Sequence, residues 1–143
     1  MSDPLSITAS VAGLISLAGY LYTQLDTFIS NVKDAPSLAQ TIRSEINSFR
    51  NSLSALQKLL NSPNLQASRA ALIPADHVVV SFTDAVLLFS QLESTVLPLT
   101  SVTEFDLVGK VQWVRKRTKL NELITRLQWH KLTLVLQLNI LQW

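Results

Sequence analysis

The chain has 143 residues, enough for one domain with a proper hydrophobic core and no need of disulfide or metal staples. Hydrophobic residues make up 48% and charged ones only 15%, with a mean hydropathy of +0.27, so few charges are left to cover the surface. The absence of cysteine excludes disulfides, thiol chemistry and thiolate metal sites, and suits a reducing interior. Three glycines and five prolines predict long regular elements. The net charge of +2 hides an asymmetry. Residues 1–109 carry five basic and nine acidic side chains, a net of −4, whereas residues 110–143 carry seven and one, a net of +6.

The first element predicted is a helix with Asp3 as N-cap and Pro4 at its first position, where a missing N–H costs nothing; it runs to about Asn31. At 100° per residue Ile7, Val11, Leu14, Ala18, Leu21, Leu25 and Phe28 share one broad face. Thr8, Ala12, Ser16, Gly19 and Thr23 share the other. The stretch from Pro4 to Leu25 holds no charge, and as a helix it measures about 33 Å, long enough to cross a bilayer. Six Ser, Thr or Gln residues and the lack of a close basic flank make it a poor constitutive span. The start carries an acid and no basic n-region, so no signal peptide is expected.

A second helix is predicted from near Pro36, with Asp34 as cap, to Leu60. Leu38, Ile42, Ile46, Phe49, Leu53, Leu56 and Leu60 form its apolar stripe. A loop at Asn61–Asn64 and a weak helical turn through Ala67–Leu72 follow. Pro74 then opens a third helix, expected to stop at Leu97 before Pro98. His77-Val78-Val79-Val80 is β-branched, but Phe82, Val86, Phe89 and Leu92 continue it at helical spacing. Residues 98–112 read as a connection, and the last helix starts between Trp113 and Thr118. Its stripe is Leu120, Ile124, Leu127, Leu134, Leu138 and Leu141, interrupted by Lys131. Beyond Leu132 it is apolar almost all round, the mark of a helix central in a bundle or awaiting a partner. The fold expected is all-α: a compact helical bundle of four long helices plus one or two short ones, a single domain over 1–143. The uncapped end at Trp143 suggests the N-terminal part of a larger architecture, or a naturally short product.

No constellation for chemistry emerges. His77 and His130 stand on different helices, and neither has a His or carboxylate three or four residues away on its own helix as a chelating partner. There is no G-x-S-x-G elbow and no glycine-rich phosphate loop, since Gly13 and Gly19 fall inside a helix and Gly109 stands alone. No catalytic residue, metal, cofactor or small-molecule substrate is therefore expected. Two features remain. The basic cluster Lys110, Arg115, Lys116, Arg117 and Lys119, interleaved with Trp113, is read first as a solvated helix start and second as a contact for an anionic membrane surface. Nucleic acid is not expected, because the rest of the chain is acidic and would repel phosphate. The small-residue face of the first helix has the spacing that lets helices approach closely, either within the bundle or in lipid.

The opening Met1-Ser2-Asp3-Pro4-Leu5-Ser6-Ile7-Thr8-Ala9-Ser10-Val11-Ala12-Gly13-Leu14-Ile15-Ser16-Leu17-Ala18 resembles the start of the HeLo-like domains at the N-termini of fungal STAND (NOD-like) proteins. The likeness continues through Phe28-Ile29-Ser30-Asn31-Val32-Lys33-Asp34-Ala35-Pro36-Ser37-Leu38. It returns more loosely at Trp113, Leu127, His130-Lys131 and Leu132-Thr133-Leu134. The resemblance implies a helical bundle fused, in many relatives, to a nucleotide-binding oligomerisation domain and a repeat sensor; this chain has neither a P-loop nor repeats. It further implies regulated cell death, in which oligomerisation frees the first helix to attack the plasma membrane, as in heterokaryon incompatibility. On that reading Leu5, Ile7, Val11, Gly13, Leu14, Ile15, Leu17, Ala18 and Leu21 meet a membrane or another helix. The partners are another copy or a NOD-like protein, and the location is cytoplasmic with recruitment to the plasma membrane on activation. The alternative is a protein–protein module without membrane activity, docking through Leu134, Leu138, Leu141 and Trp143.

Overall fold

A computed structural model describes residues 4–61, 75–101 and 105–142 of the chain. Helix α1 spans Pro4–Asn31, α2 Ser37–Leu60, α3 Ala75–Thr100, α4 Leu107–Arg115 and α5 Arg117–Gln142. The all-α bundle expected from periodicity is what the chain forms, with four long helices and one short one among the described residues.

Each long helix turns one apolar stripe inward. From α1 come Val11, Leu14, Ala18, Leu21, Leu25 and Phe28, and from α2 Ile42, Ile46, Phe49, Leu53 and Leu56, all buried. Helix α3 contributes Phe82, Ala85, Leu88, Phe89, Leu92, Val96 and Leu99, and α5 contributes Leu120, Leu123, Leu127, Leu134 and Leu138. Among the described residues α1 borders α2 and α3, and α5 borders the same two, so the four form a square with α1 diagonally opposite α5. Across the other diagonal the rings of Phe49 and Phe89 meet at 5.5 Å. Each fully buried Leu or Phe contributes about 1.5–3 kcal/mol, which makes the stripes the main source of stability.

Polar contacts between helices set register. Arg43 Nη1 lies 2.7 Å from Asp26 Oδ1 and ties α2 to α1. Both side chains are partly exposed, so the pair is worth no more than about 1 kcal/mol. Arg126 Nη1 donates to Gln91 Oε1 at 2.8 Å and ties α5 to α3. Lys131, the charge that interrupts the α5 stripe, reaches toward Glu45 on α2, with its Nζ 3.7 Å from Oε2, while Gln128 Nε2 donates to Oε1 at 3.2 Å. The interruption is thus met by a carboxylate on the facing helix.

Four local expectations need correction. Asp34 does not cap α2: the cap position is Pro36, with no side-chain hydrogen bond, and Asp34 adopts a left-handed backbone with φ 61° in the turn after α1. A short polar side chain tolerates that conformation better than most. Helix α3 does not stop at Leu97. Pro98 sits inside its last turn, where few backbone bonds remain to lose and buried Val96 and Leu99 hold the turn in the core. Val86 is exposed rather than in the stripe, whose inner line runs through Ala85 and Phe89. The connection at 98–112 contains α4, capped by Asp106, whose side chain accepts from the Gly109 N–H at 3.0 Å. The turn expected at Ala67–Leu72, the N-cap Asp3 and the opening Pro74 lie outside the described residues.

Candidate functional site

Among the described side chains, the large face of α1 is committed to the core. Val11, Leu14, Ala18 and Leu21 are buried, and Ile15 and Leu17 are partly buried against the same cluster. The outward strip is uncharged and mostly small, with Ala9, Gly13, Ser16 and Tyr20 exposed. A Cβ built on Gly13 meets nothing within 4 Å, so this point of the helix has open space around it. The side chains of Leu5 and Ile7 lie outside those described. No described helix is long and apolar enough to cross a membrane.

The basic cluster falls on the elbow between α4 and α5. Lys116 closes α4 in a helical conformation and Arg117 opens α5, so five cations crowd one corner of the bundle. All five are exposed, and among the described residues none forms an ion pair. Trp113 is not the surface aromatic its place among the cations suggested. It is buried, with its ring stacked on Phe28 of α1 at 5.6 Å and 23°, and Phe28 meets Phe105 edge-on at 5.4 Å. Its indole N–H is buried without an acceptor. Gly109, one turn earlier, is the other anchor: a Cβ there would stand 3.0 Å from the Phe105 ring, which only glycine accommodates without movement. With Gly109 and Trp113 inward, the opposite side of α4 carries Leu107, Val108, Val111 and Val114 outward, 76, 62, 42 and 59% exposed. Beside the elbow a cleft of about 540 Å³ separates Lys110 and Arg117 from Ser37 and Thr41 at the start of α2.

The last helix presents a face other than the one expected. Leu134 and Leu138, read as partner-facing, are core residues on the stripe of Leu120 and Leu127. The side chain of Leu141 lies outside those described, and Trp143 lies outside the described residues. The free face is the opposite one, where Trp129 (67% exposed), Leu132, Leu136 and Ile140 recur at helical spacing, with exposed Val80 and Leu87 on α3. Trp129 and Val80 line a common hollow of about 260 Å³ with Asp84, His130 and Thr133, so the two helices share this surface. Trp129 escaped the sequence reading, although its position opposite Leu127 and Leu134 was the available signal.

His130 is half-buried in that hollow. Desolvation lowers its pKa below 6.5, opposed by Asp84 and reinforced by Arg126. A histidine that resists protonation when folded takes up a proton more readily when unfolded, so acid favours unfolding. This contribution is complete above about pH 6.5 and is lost as pH falls below it. The thermal midpoint is expected to drop more between about pH 7.5 and 5.5 in the wild type than in His130→Gln. Equal drops would show that His130 does not contribute.

Among the described residues, no three His, Asp or Glu side chains converge as a metal site would require. The surfaces that distinguish the molecule are a first helix without charge from Pro4 to Leu25, a basic elbow with an apolar outer arc, and an apolar ridge on α3 and α5. Comparisons of the chain with protein-family models, curated proteins and solved structures give no match.

Proposed function

We propose that the chain is a non-catalytic effector or signalling bundle that oligomerises and engages membranes through α1 in regulated cell death. The observation that carries this reading is the charge-free run from Pro4 to Leu25, whose described side chains fill one side of the core with large groups and show Ala9, Gly13, Ser16, Tyr20 and Thr23, all uncharged, outside. Lipid tails are as apolar as leucine, so moving such a helix from core to bilayer costs little in transfer free energy. Departure of α1 would uncover the inner faces of α2 and α3, and covering them with other copies links membrane engagement to oligomerisation. The likeness of residues 1–38 to HeLo-like domains points the same way.

Dye release from anionic vesicles, comparing the full chain with Gly13→Glu, tests the proposal. Deleting residues 1–25 is no test, because it removes Val11, Leu14, Ala18, Leu21 and Leu25 from the core. Equal release by a folded Gly13→Glu protein would sink the first-helix mechanism.

The ridge on α3 and α5 supports a second reading, a protein–protein module that self-associates or docks a NOD-like partner. Light scattering over a concentration series is expected to show association in the wild type that disappears in Trp129→Glu/Leu136→Glu, with helicity unchanged because both residues are exposed. Association that persists in the double variant would rule out the ridge. Leu138→Glu cannot make this distinction, since it places a charge in the core.

A further inference from the structure

We infer that the α4–α5 elbow is a docking element for the surface of an anionic bilayer, used by the folded bundle with α1 still in its core. The inference rests on the membrane reading above, and it assigns the first contact to a different part of the molecule. Three observations converge. The outer arc of α4 is Leu107, Val108, Val111 and Val114, an apolar strip on a helix whose inner side is already satisfied by Gly109 and Trp113. Cations adjoin that arc: Lys110 borders it on the helix wheel, Arg115 falls within it between Val111 and Val108 at the C-terminal turn, and Lys116, Arg117 and Lys119 continue round the elbow. The ten residues from Lys110 to Lys119 contain no acid, and the described ion pairs of the bundle lie elsewhere.

Charge complementarity selects the occupant. A polyanion without an apolar phase, such as a nucleic acid, would use the cations and leave four large aliphatic side chains in water. An apolar protein groove would cover the aliphatic arc and leave five cations without counter-charge. An anionic leaflet satisfies both, because its surface potential attracts lysine and arginine while its headgroup–acyl boundary takes shallow apolar side chains. Four aliphatic side chains on little more than two turns match that shallow depth and fall far short of a span.

The test is co-sedimentation of the full chain with vesicles of phosphatidylcholine alone, and with vesicles containing about 30% phosphatidylserine, at moderate salt. Two variants are compared: Leu107→Ser/Val111→Ser, which removes half of the apolar arc, and Arg115→Gln/Lys116→Gln/Arg117→Gln, which removes three cations. All five positions are exposed, and the thermal midpoint of each variant checks that the bundle is intact. The wild type is expected to bind the anionic vesicles and not the neutral ones, with binding weakened by salt. The triple variant should bind about 100-fold more weakly, at roughly fivefold per lost charge. The serine variant should bind about tenfold more weakly.

The inference is overturned if the wild type does not sediment, or if it sediments equally with both vesicle types. It is also overturned if only the triple variant loses binding, since the arc then stays in water and the cations serve a purely ionic partner. Its fate separates from that of the first-helix proposal. Sedimentation without dye release keeps the docking element and removes permeabilisation, whereas release that survives the triple variant does the reverse.

Discussion

Gly13→Glu is expected to make the bundle more stable and yet remove its action on membranes. Gly13 lies in the middle of α1, where glycine is about 0.8–1 kcal/mol worse than alanine, and glutamate is close to alanine in helix propensity. The position is exposed and a new Cβ meets nothing, so the side chain enters water without strain. A gain of roughly 0.5–1 kcal/mol in urea unfolding follows. In lipid the same carboxylate near the centre of a helix costs about 2.5–3.5 kcal/mol, which lowers engagement roughly 100-fold. Opposite signs in two assays on one variant are hard to produce by general damage. Leu14→Glu, one residue later, lacks this property: Leu14 is buried, so the charge would unfold the bundle whatever α1 does in lipid.

Phe28→Ala is expected to carry the larger cost in stability, about 3–5 kcal/mol in denaturant unfolding. Phe28 closes the C-terminal end of the α1 stripe and is nearly fully buried. It is also the only described ring that meets both Phe105 and Trp113. Truncation therefore removes a core side chain together with the aromatic contacts that join α1 to Trp113 of α4 and to Phe105 just before it, each worth about 0.5–1.5 kcal/mol beyond burial. Such a loss is a large part of the roughly 5–15 kcal/mol that separates folded from unfolded domains. A loss below about 1 kcal/mol would mean that α1 and α4 are not coupled through this side chain.

The long helices were legible because their stripes are regular. Leu38 to Leu60 on α2, Val11 to Phe28 on α1 and Leu120 to Leu138 on α5 each keep helical spacing, and burial follows that spacing almost residue by residue. Helix α4 was not legible. It buries only Gly109 and Trp113, four residues apart, while its aliphatic residues point outward, so no inward stripe announces it. Trp113 misled for a related reason. An aromatic among lysines and arginines looks superficial in one dimension, and only the approach of Phe28, distant in sequence, places it in the core. Leu134 and Leu138 misled in the opposite direction: a helix end that is apolar all round cannot say which side is inner until α2 and α3 are set against it. The basic cluster, read from adjacency alone, needed no tertiary information to be found.

The thin anchoring of α4 has a kinetic consequence. Two buried residues and one stacked ring hold nine helical residues to the bundle, and the indole N–H within that anchor goes without a hydrogen bond. A segment so attached opens at a small fraction of the global unfolding free energy. Amide hydrogen exchange should therefore find α4 protected far less than its neighbours α1 and α5, its amides exchanging together through one sub-global opening while the four-helix square stays closed.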